Sequence, residues 1–156
     1  MKKISLILIF CLFGFAHFAK SQSCTPIVAA DLKRMLGELG YEVKDLSVVV
    51  DKEKFEIKVL LPTLNVPMGV ELSGNKNNIW FTATLGKAFE ETSPKNLALL
   101  KRNAIIQPAQ FYVSERGNLM MAVAIENKGV TNASLKKASD MLATKVFENK
   151  IYWQAN

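Results

Sequence analysis

The sequence predicts an α+β domain in two layers, with an antiparallel sheet of five to six strands and helices on one face. Several segments alternate apolar and polar residues with a period of two, which is typical of half-buried strands. Short turns join these segments, so neighbouring strands pair antiparallel. Stretches with helical spacing precede, interrupt and follow the strands. The predicted order is therefore helix, three-strand meander, helix, hairpin and long C-terminal helix, with the helices packed on one side of the sheet.

The first element is a predicted secretory signal peptide, residues 1–23. Lys2 and Lys3 form a basic start, Ile4 to Phe15 are almost all apolar, and Ala16 to Ser23 are mostly small or polar. This is the layout of a bacterial-type export signal. The apolar run is shorter than the roughly 20 residues of a spanning helix, although a retained membrane-anchoring helix is the alternative.

Cleavage is expected between Ala19 and Cys24, which leaves residues 24–156 as a single mature domain in the periplasm or outside the cell. Cys24 lies near the cut, so acylation of its thiol is a second possibility, and an acyl chain would hold the domain at a membrane. Lys20 and the polar run 21–23 do not fit the usual lipoprotein signal. We therefore expect contact with a membrane only if Cys24 is lipidated.

Composition excludes several function classes. The chain of 156 residues has 20 basic and 14 acidic residues, and export removes three lysines, leaving a net charge of about +3. Such a mild charge does not favour nucleic acid as a partner. The signal also contains His17, the only histidine, and Cys11, so the mature domain has no histidine and one cysteine. A single cysteine forms no internal disulfide.

The same residues argue against catalysis. Without histidine there is no histidine-dependent triad, and Cys24 alone cannot form a zinc site. Phosphate-binding and dinucleotide-binding glycine motifs are absent, as is a calcium loop. The tightest acidic pair, Glu90 and Glu91, precedes a predicted helix and is interpreted as solvated loop carboxylates beside its N-terminus. We therefore predict a protein that is not an enzyme and has no cofactor, metal or catalytic residue.

Three helices are predicted from apolar stripes and end signals. The first covers 25–40, with Thr25 as N-cap, Pro26 at the first helical position and Gly40 as the left-handed stop. The second runs from about Pro94 to Ala104 after Thr92-Ser93. Its inward residues are predicted to be Leu97 and Leu100, with Leu99 as a further candidate. The third begins at the cap Thr131 and continues to Trp153. Its predicted stripe is Leu135, Ala138, Leu142 and Val146.

The strands follow from alternation. The meander comprises 54–61, 68–73 and 79–85, and the composition of Ser73 to Asn78 predicts the loop of its second hairpin. A further hairpin pairs 110–114 with 119–126 across a turn at 115–118. The segment Tyr41 to Val50 is a candidate edge strand.

One face of this sheet carries less charge than expected. If Ile79 and Phe81 point toward the helices, then Trp80, Thr82 and Thr84 point away. The same alternation turns outward Tyr112 on one strand of the later hairpin and small or apolar residues on the other. The candidate partner-binding residues are Trp80, Thr82, Tyr112, Met120, Ala122 and Ala124.

Such a surface on a monomer suggests a binding face or a dimer interface, with tryptophan and tyrosine as anchors. A structural alternative is that Tyr41 to Val50, or the chain end with Tyr152 and Trp153, folds over it.

Several stretches resemble a known family. The first helix ends in Leu39-Gly40-Tyr41, the second contains 99–103 (Leu-Leu-Lys-Arg-Asn), and Gln-Phe-Tyr-Val at 110–113 leads to Gly-Asn-Leu at 117–119. With the meander and the final helix, these residues resemble the type III secretion chaperone-like fold, including its YbjN-like branch. The resemblance covers most of residues 25–153. It implies a tendency to dimerise and a surface that holds unfolded segments of other proteins.

The chain differs from those chaperones in two respects, since it carries an export signal and lacks their acidity. The hypothesis from the sequence is an exported, non-enzymatic binding or chaperone-like protein that engages an unknown partner polypeptide through the semi-apolar sheet face. Its alternatives are a self-associating envelope or structural protein, which would form a homodimer, and a small histidine-free hydrolase.

Overall fold

The computed structural model describes residues 25–154, so the predicted signal peptide and Cys24 lie outside the described residues. Within this range no helix has the length and apolar character required to cross a bilayer. The elements are α1 (Ala29–Glu38), β1 (Lys44–Ser47), β2 (Lys54–Leu61), β3 (Leu64–Leu72), β4 (Asn78–Lys87), α2 (Pro94–Asn103), β5 (Gln110–Val113), β6 (Asn118–Glu126), α3 (Asn132–Glu148) and α4 (Lys150–Trp153).

The strands form one antiparallel six-stranded sheet in the order β1-β2-β3-β4-β6-β5. The predicted α+β class and element order are confirmed, and the segment after α1 does supply an edge strand. Tight turns join β2 to β3, β3 to β4 and β5 to β6. Helix α2 separates β4 from β5, and β6 returns to pair with β4. The β4–β6 pair thus joins strands that are distant in sequence.

The hydrophobic core lies between the helices and one face of the sheet. Leu32 and Leu36 of α1 and Leu135 and Leu142 of α3 are fully buried against inward strand residues such as Phe81. The stripe predicted for the last helix is buried in full. Since side chains alternate along a strand, the residues between the inward ones point to the opposite, outer face.

Helix α1 begins later than the sequence predicts. Its N-cap is Val28, so Thr25 does not cap it and Pro26 is not its first residue. The physical reason is a tertiary contact: the buried Asn127 carboxamide accepts from the Ile27 backbone N–H at 3.0 Å and donates to the Ile27 carbonyl at 3.0 Å. These bonds hold the chain extended before α1 starts. The predicted end is correct, because Gly40 has φ +84°.

Helix α2 begins at Pro94 as predicted, and Ser93 caps it, accepting from the Lys95 N–H. Its predicted inward face is wrong. Leu99 is buried, whereas the side chains of Leu97 and Leu100 are 56% and 67% exposed. The helix lies at the edge of the sheet, where it packs on β5 and α4, so only a narrow row of its residues finds neighbours.

The last helix is two helices. Thr131 caps α3 as predicted, in a capping box with Ser134, but α3 ends at Glu148 and α4 is a separate turn. Asn149 makes the break. Its buried Nδ2 donates to the Lys145 carbonyl at 2.7 Å, and its Oδ1 accepts from Arg102 Nε at 2.6 Å. The side chain thus terminates α3 and fastens it to α2.

Candidate functional site

The strand register brings the predicted outer-face residues together. Trp80 lies opposite Ala124, and Thr82 opposite Ala122, across the β4–β6 pair. Tyr112 lies opposite Met120 across β5–β6. The outer face therefore has one patch on three adjacent strands. We call this patch the outer patch; its members are Trp80, Thr82, Tyr112, Met120, Ala122 and Ala124.

Neither segment that was considered as a cover lies on the outer patch. Strand β1 is the far edge of the sheet, where it pairs only with β2. Tyr152 and Trp153 pack against the core on the helical side, and Trp153 Nε1 donates to the Val146 carbonyl at 2.9 Å. The structural alternative therefore does not hold for these two segments.

Exposure differs within the outer patch. Ala122 is fully buried and Thr82 is 7% exposed, whereas Tyr112 is 36% exposed. Trp80, Met120 and Ala124 are half-buried. Ala122 is absent from the core formed with the helices, so its burial comes from larger neighbours on its own face. Ala122 and Thr82 therefore form a floor, and the aromatic side chains beside them are the residues a partner would touch.

The aromatic side chains flank a concavity of about 390 Å³, which we call the notch. Its lining residues are Glu71, Trp80, Thr82, Gln110 and Tyr112. Within residues 25–154, no hydrogen bond occupies Trp80 Nε1, the Tyr112 hydroxyl or the Gln110 carboxamide. The Thr82 hydroxyl donates to the Gly69 carbonyl at 3.3 Å, a long bond. The notch thus combines two aromatic surfaces with polar groups that are free to bind a ligand.

One ion pair borders the notch. Lys54 Nζ lies 2.8 Å from Glu71 Oε1, and the two side chains are 32% and 33% exposed. Lys54 reaches this position across Gly69, where an added Cβ would lie 2.6 Å from Lys54 Cε and 2.9 Å from Thr82 Oγ1. A side chain at position 69 would therefore have to displace the flexible end of Lys54 and shift the Thr82 hydroxyl.

The surroundings of Tyr112 shift the pKa of its phenol. Partial burial and then the negative charge of Glu71 raise the pKa of its phenol above the ordinary value. Both causes disfavour the phenolate. Tyr112 is therefore a neutral phenol at physiological pH and keeps its hydroxyl as both donor and acceptor.

Glu71, Gln110 and Lys54 are not among the residues predicted from the sequence. Glu71 and Gln110 could have been located from the sequence, because each hairpin turn sets the register of its strands. The loop Ser73 to Asn78 places Glu71 opposite Trp80, and the turn of the later hairpin places Gln110 opposite Ala122. Lys54 lies opposite Glu71 in the β2–β3 hairpin and could have been found in the same way.

The structure shows no arrangement suited to acid–base chemistry at the acidic pair. The side chains of Glu90 and Glu91 are exposed, and their backbone carbonyls accept from Asn96 Nδ2 at 2.8 and 3.1 Å. The pair belongs to the turn before α2. No three His, Cys, Asp or Glu side chains of the described range are grouped so as to hold a metal.

A second surface feature is the free edge of β5. Asn103 of α2 accepts from the Phe111 N–H at 2.7 Å and donates to the Phe111 carbonyl at 3.1 Å. The carboxamide thus takes the place that another strand would occupy and protects this edge from pairing. Beside it lies an apolar groove of about 230 Å³, partly lined by Leu99, Leu100 and Val113.

Replacing Asn103 by alanine is expected to cost about 1–3 kcal/mol of unfolding free energy, because it leaves both polar groups of Phe111 unpaired at the edge of the sheet. It should also promote strand-mediated aggregation. Urea unfolding and static light scattering measure the two effects. Gln107→Ala is the matched control, since Gln107 is exposed and makes only a 3.5 Å bond to the Asn103 carbonyl. Equal stability of the two variants would show that the hydrogen bonds between Asn103 and Phe111 do not stabilise the fold.

Comparisons with known proteins identify the fold alone. No protein-family model matches the chain, and no curated protein matches it. A chain in the structure of the heterodimeric complex ExoU–SpcU from the type III secretion system of Pseudomonas aeruginosa is similar, with a TM-score of 0.54 and 16% identity over 79% of this chain and 98% of that chain. This similarity supports the predicted chaperone-like fold. It does not distinguish the YbjN-like branch, which stays a prediction.

Proposed function

We propose that this protein is an exported, non-enzymatic binding protein with a chaperone-like role, which holds a partner polypeptide on the outer face of its sheet. The observation that carries the proposal is the notch. Two aromatic side chains converge there with three polar groups that have no hydrogen bond within residues 25–154, on a face that neither β1 nor the C-terminal aromatic residues cover. Residues without a structural partner on a formed concave surface are typical of binding sites.

The geometry favours a polypeptide. The outer patch extends over β4, β6 and β5, so an extended segment can lie across several strands with one side chain in the notch. Trp80 and Tyr112 offer the large, rigid contact area that anchors protein interfaces. The similar fold occurs in a heterodimeric protein complex, which supports a protein as the partner.

The proposal is tested with an array of overlapping peptides derived from envelope and secreted proteins, probed with the purified protein. We expect binding to a subset of extended, partly apolar peptides, and we expect that subset to be lost with the double variant Trp80→Ala, Tyr112→Ala. An array on which the unchanged protein binds nothing, or on which the double variant binds the same peptides, contradicts the proposal.

Self-association is a second candidate function, favoured by a different observation. Leu97, Leu100, Ile105 and Val113 are all more than half exposed around α2 and β5, so an apolar surface lies beside the groove at this edge. Two copies of the chain can bury it together. Tyr112 lines both the groove beside this surface and the notch, so the two candidate sites adjoin at this residue.

Leu100→Glu is expected to convert a dimer formed through this surface into a monomer, because it places a charge at the centre of the apolar contact. Light scattering coupled to size exclusion, over a range of protein concentrations, measures the change. Thr84→Glu on the outer face is the control and should leave the mass unchanged. A wild-type protein that stays monomeric at high concentration, or a dimer resistant to Leu100→Glu, contradicts this interface.

A further inference from the structure

The notch is a concavity of about 390 Å³ whose lining includes two aromatic side chains. Strand β6 lies between Trp80 of β4 and Tyr112 of β5, with Ala124 opposite Trp80, Met120 opposite Tyr112 and the small residue Ala122 between these two positions. The gap therefore stays open toward solvent while the rings stand on either side. A flat group entering the notch would contact an aromatic surface of at least one ring.

Within residues 25–154, the free polar atoms around the gap include three acceptor oxygens, beside donors on Trp80, Gln110 and Tyr112. Lys54 engages only Oε1 of Glu71, and no hydrogen bond within residues 25–154 uses Oε2. The Gln110 amide oxygen and the Tyr112 hydroxyl oxygen also lack a donor in the described part of the chain. A ligand with several N–H groups could donate hydrogen bonds to these acceptors.

The charge of the notch favours a cation. Glu71 is the one ionised group among its lining residues. The negative charge of Glu71 also acts on Tyr112, since it contributes to the raised pKa of the phenol. The charge that balances Glu71 comes from Lys54, which approaches from β2 rather than from within the notch.

We infer that the notch binds an arginine side chain of the partner polypeptide, with the guanidinium stacked on Trp80 or Tyr112 and hydrogen-bonded to Glu71. The inference rests on the proposed function and names the chemistry that the site recognises. Arginine fits better than lysine for two reasons. Its planar cation stacks on aromatic faces, and its fixed fork of donors pairs with a carboxylate through two hydrogen bonds.

Lys54 is then a competitor for the same carboxylate. In the free protein its ammonium satisfies Glu71, and an arriving guanidinium must share or displace it. The two residues consequently have opposite effects on binding. Glu71→Gln should weaken the binding of an arginine ligand, and Lys54→Met should strengthen it. At a site for an anion, Lys54→Met would instead weaken the binding of the ligand.

The test uses fluorescence-labelled versions of the peptides that the protein binds on the array. Each peptide is synthesised with arginine, lysine or citrulline at the same position. Citrulline keeps the planar shape and removes the charge. Fluorescence polarisation should show roughly tenfold weaker binding for citrulline and a severalfold loss for lysine on the unchanged protein. Glu71→Gln should remove the preference for arginine over citrulline, and Lys54→Met should tighten arginine binding severalfold.

The outcomes separate this inference from the proposed function. If binding depends on Trp80 but the arginine and citrulline versions of a peptide bind with equal affinity, the arginine inference is overturned. The proposed binding face is then retained. Absence of peptide binding overturns both. Because the citrulline comparison is made on the unchanged protein, its result does not depend on whether a variant folds. Lys54→Met that weakens arginine binding also contradicts the inference.

Discussion

Replacing Trp80 by alanine is expected to weaken peptide binding at least tenfold and to lower the melting temperature by only a few degrees. Anchors of this type commonly account for about 2 kcal/mol or more of a binding free energy. Trp80 is half-buried on the outer face and is not part of the core shared with the helices. Its loss therefore removes contact area for the partner and opens no cavity in the core. Fluorescence polarisation and thermal unfolding provide the two measurements.

The matched control for Trp80→Ala is Trp153→Ala, which removes the other tryptophan of the chain. Trp153 packs on the helical side and donates to the Val146 carbonyl. We expect this control to reduce stability and to retain peptide binding in the folded fraction. A large fall in melting temperature for Trp80→Ala would show that Trp80 is a structural residue, and the binding role assigned to it would be wrong.

Asn127→Ala is expected to have the largest effect on stability, about 2–4 kcal/mol of unfolding free energy. The side chain is 1% exposed. Besides its two bonds to Ile27, its Nδ2 donates to the Lys76 carbonyl at 2.8 Å. Alanine leaves those backbone groups unpaired inside the protein, where each costs roughly 1–3 kcal/mol, partly recovered by water. Chemical denaturation measures the change.

The control for Asn127→Ala is Asn65→Ala, because Asn65 is exposed on β3 and makes no side-chain hydrogen bond within residues 25–154. It should change the unfolding free energy by less than about 0.5 kcal/mol. Hydrogen exchange adds a local test, since Asn127→Ala should also reduce protection at the start of α1. Equal stability of the two variants would mean that the contact does not hold the extended segment before α1 in place.

The elements with strong periodicity were predictable from the sequence. Alternation along 54–61 and 79–85 sets which residues face the helices, and the structure buries Phe55, Ile57 and Phe81 accordingly. The outer patch follows from the same alternation, because a strand that buries one set of residues must present the other set on its second face. The presence of the patch on one face was therefore predictable, although its binding role is a proposal.

The details that were missed depend on contacts between distant parts of the chain. Asn127, Asn103 and Asn149 each use a carboxamide in place of a backbone partner, at the start of α1, the edge of β5 and the end of α3. Asparagine in a sequence is equally compatible with a solvated turn, so no local pattern distinguishes these positions. The same limit explains the wrong inward face of α2, whose orientation is set by β5 and α4.

The most direct test of the account is to locate a bound peptide on the protein. A photo-crosslinking amino acid is placed at Thr84, which is exposed on the outer face beside the notch, and in a separate variant at Lys137, which is exposed on α3. The account predicts crosslinks to an array-selected peptide from position 84 and none from position 137. Crosslinking from the helix position alone would place the partner on the opposite side and contradict the outer-face proposal.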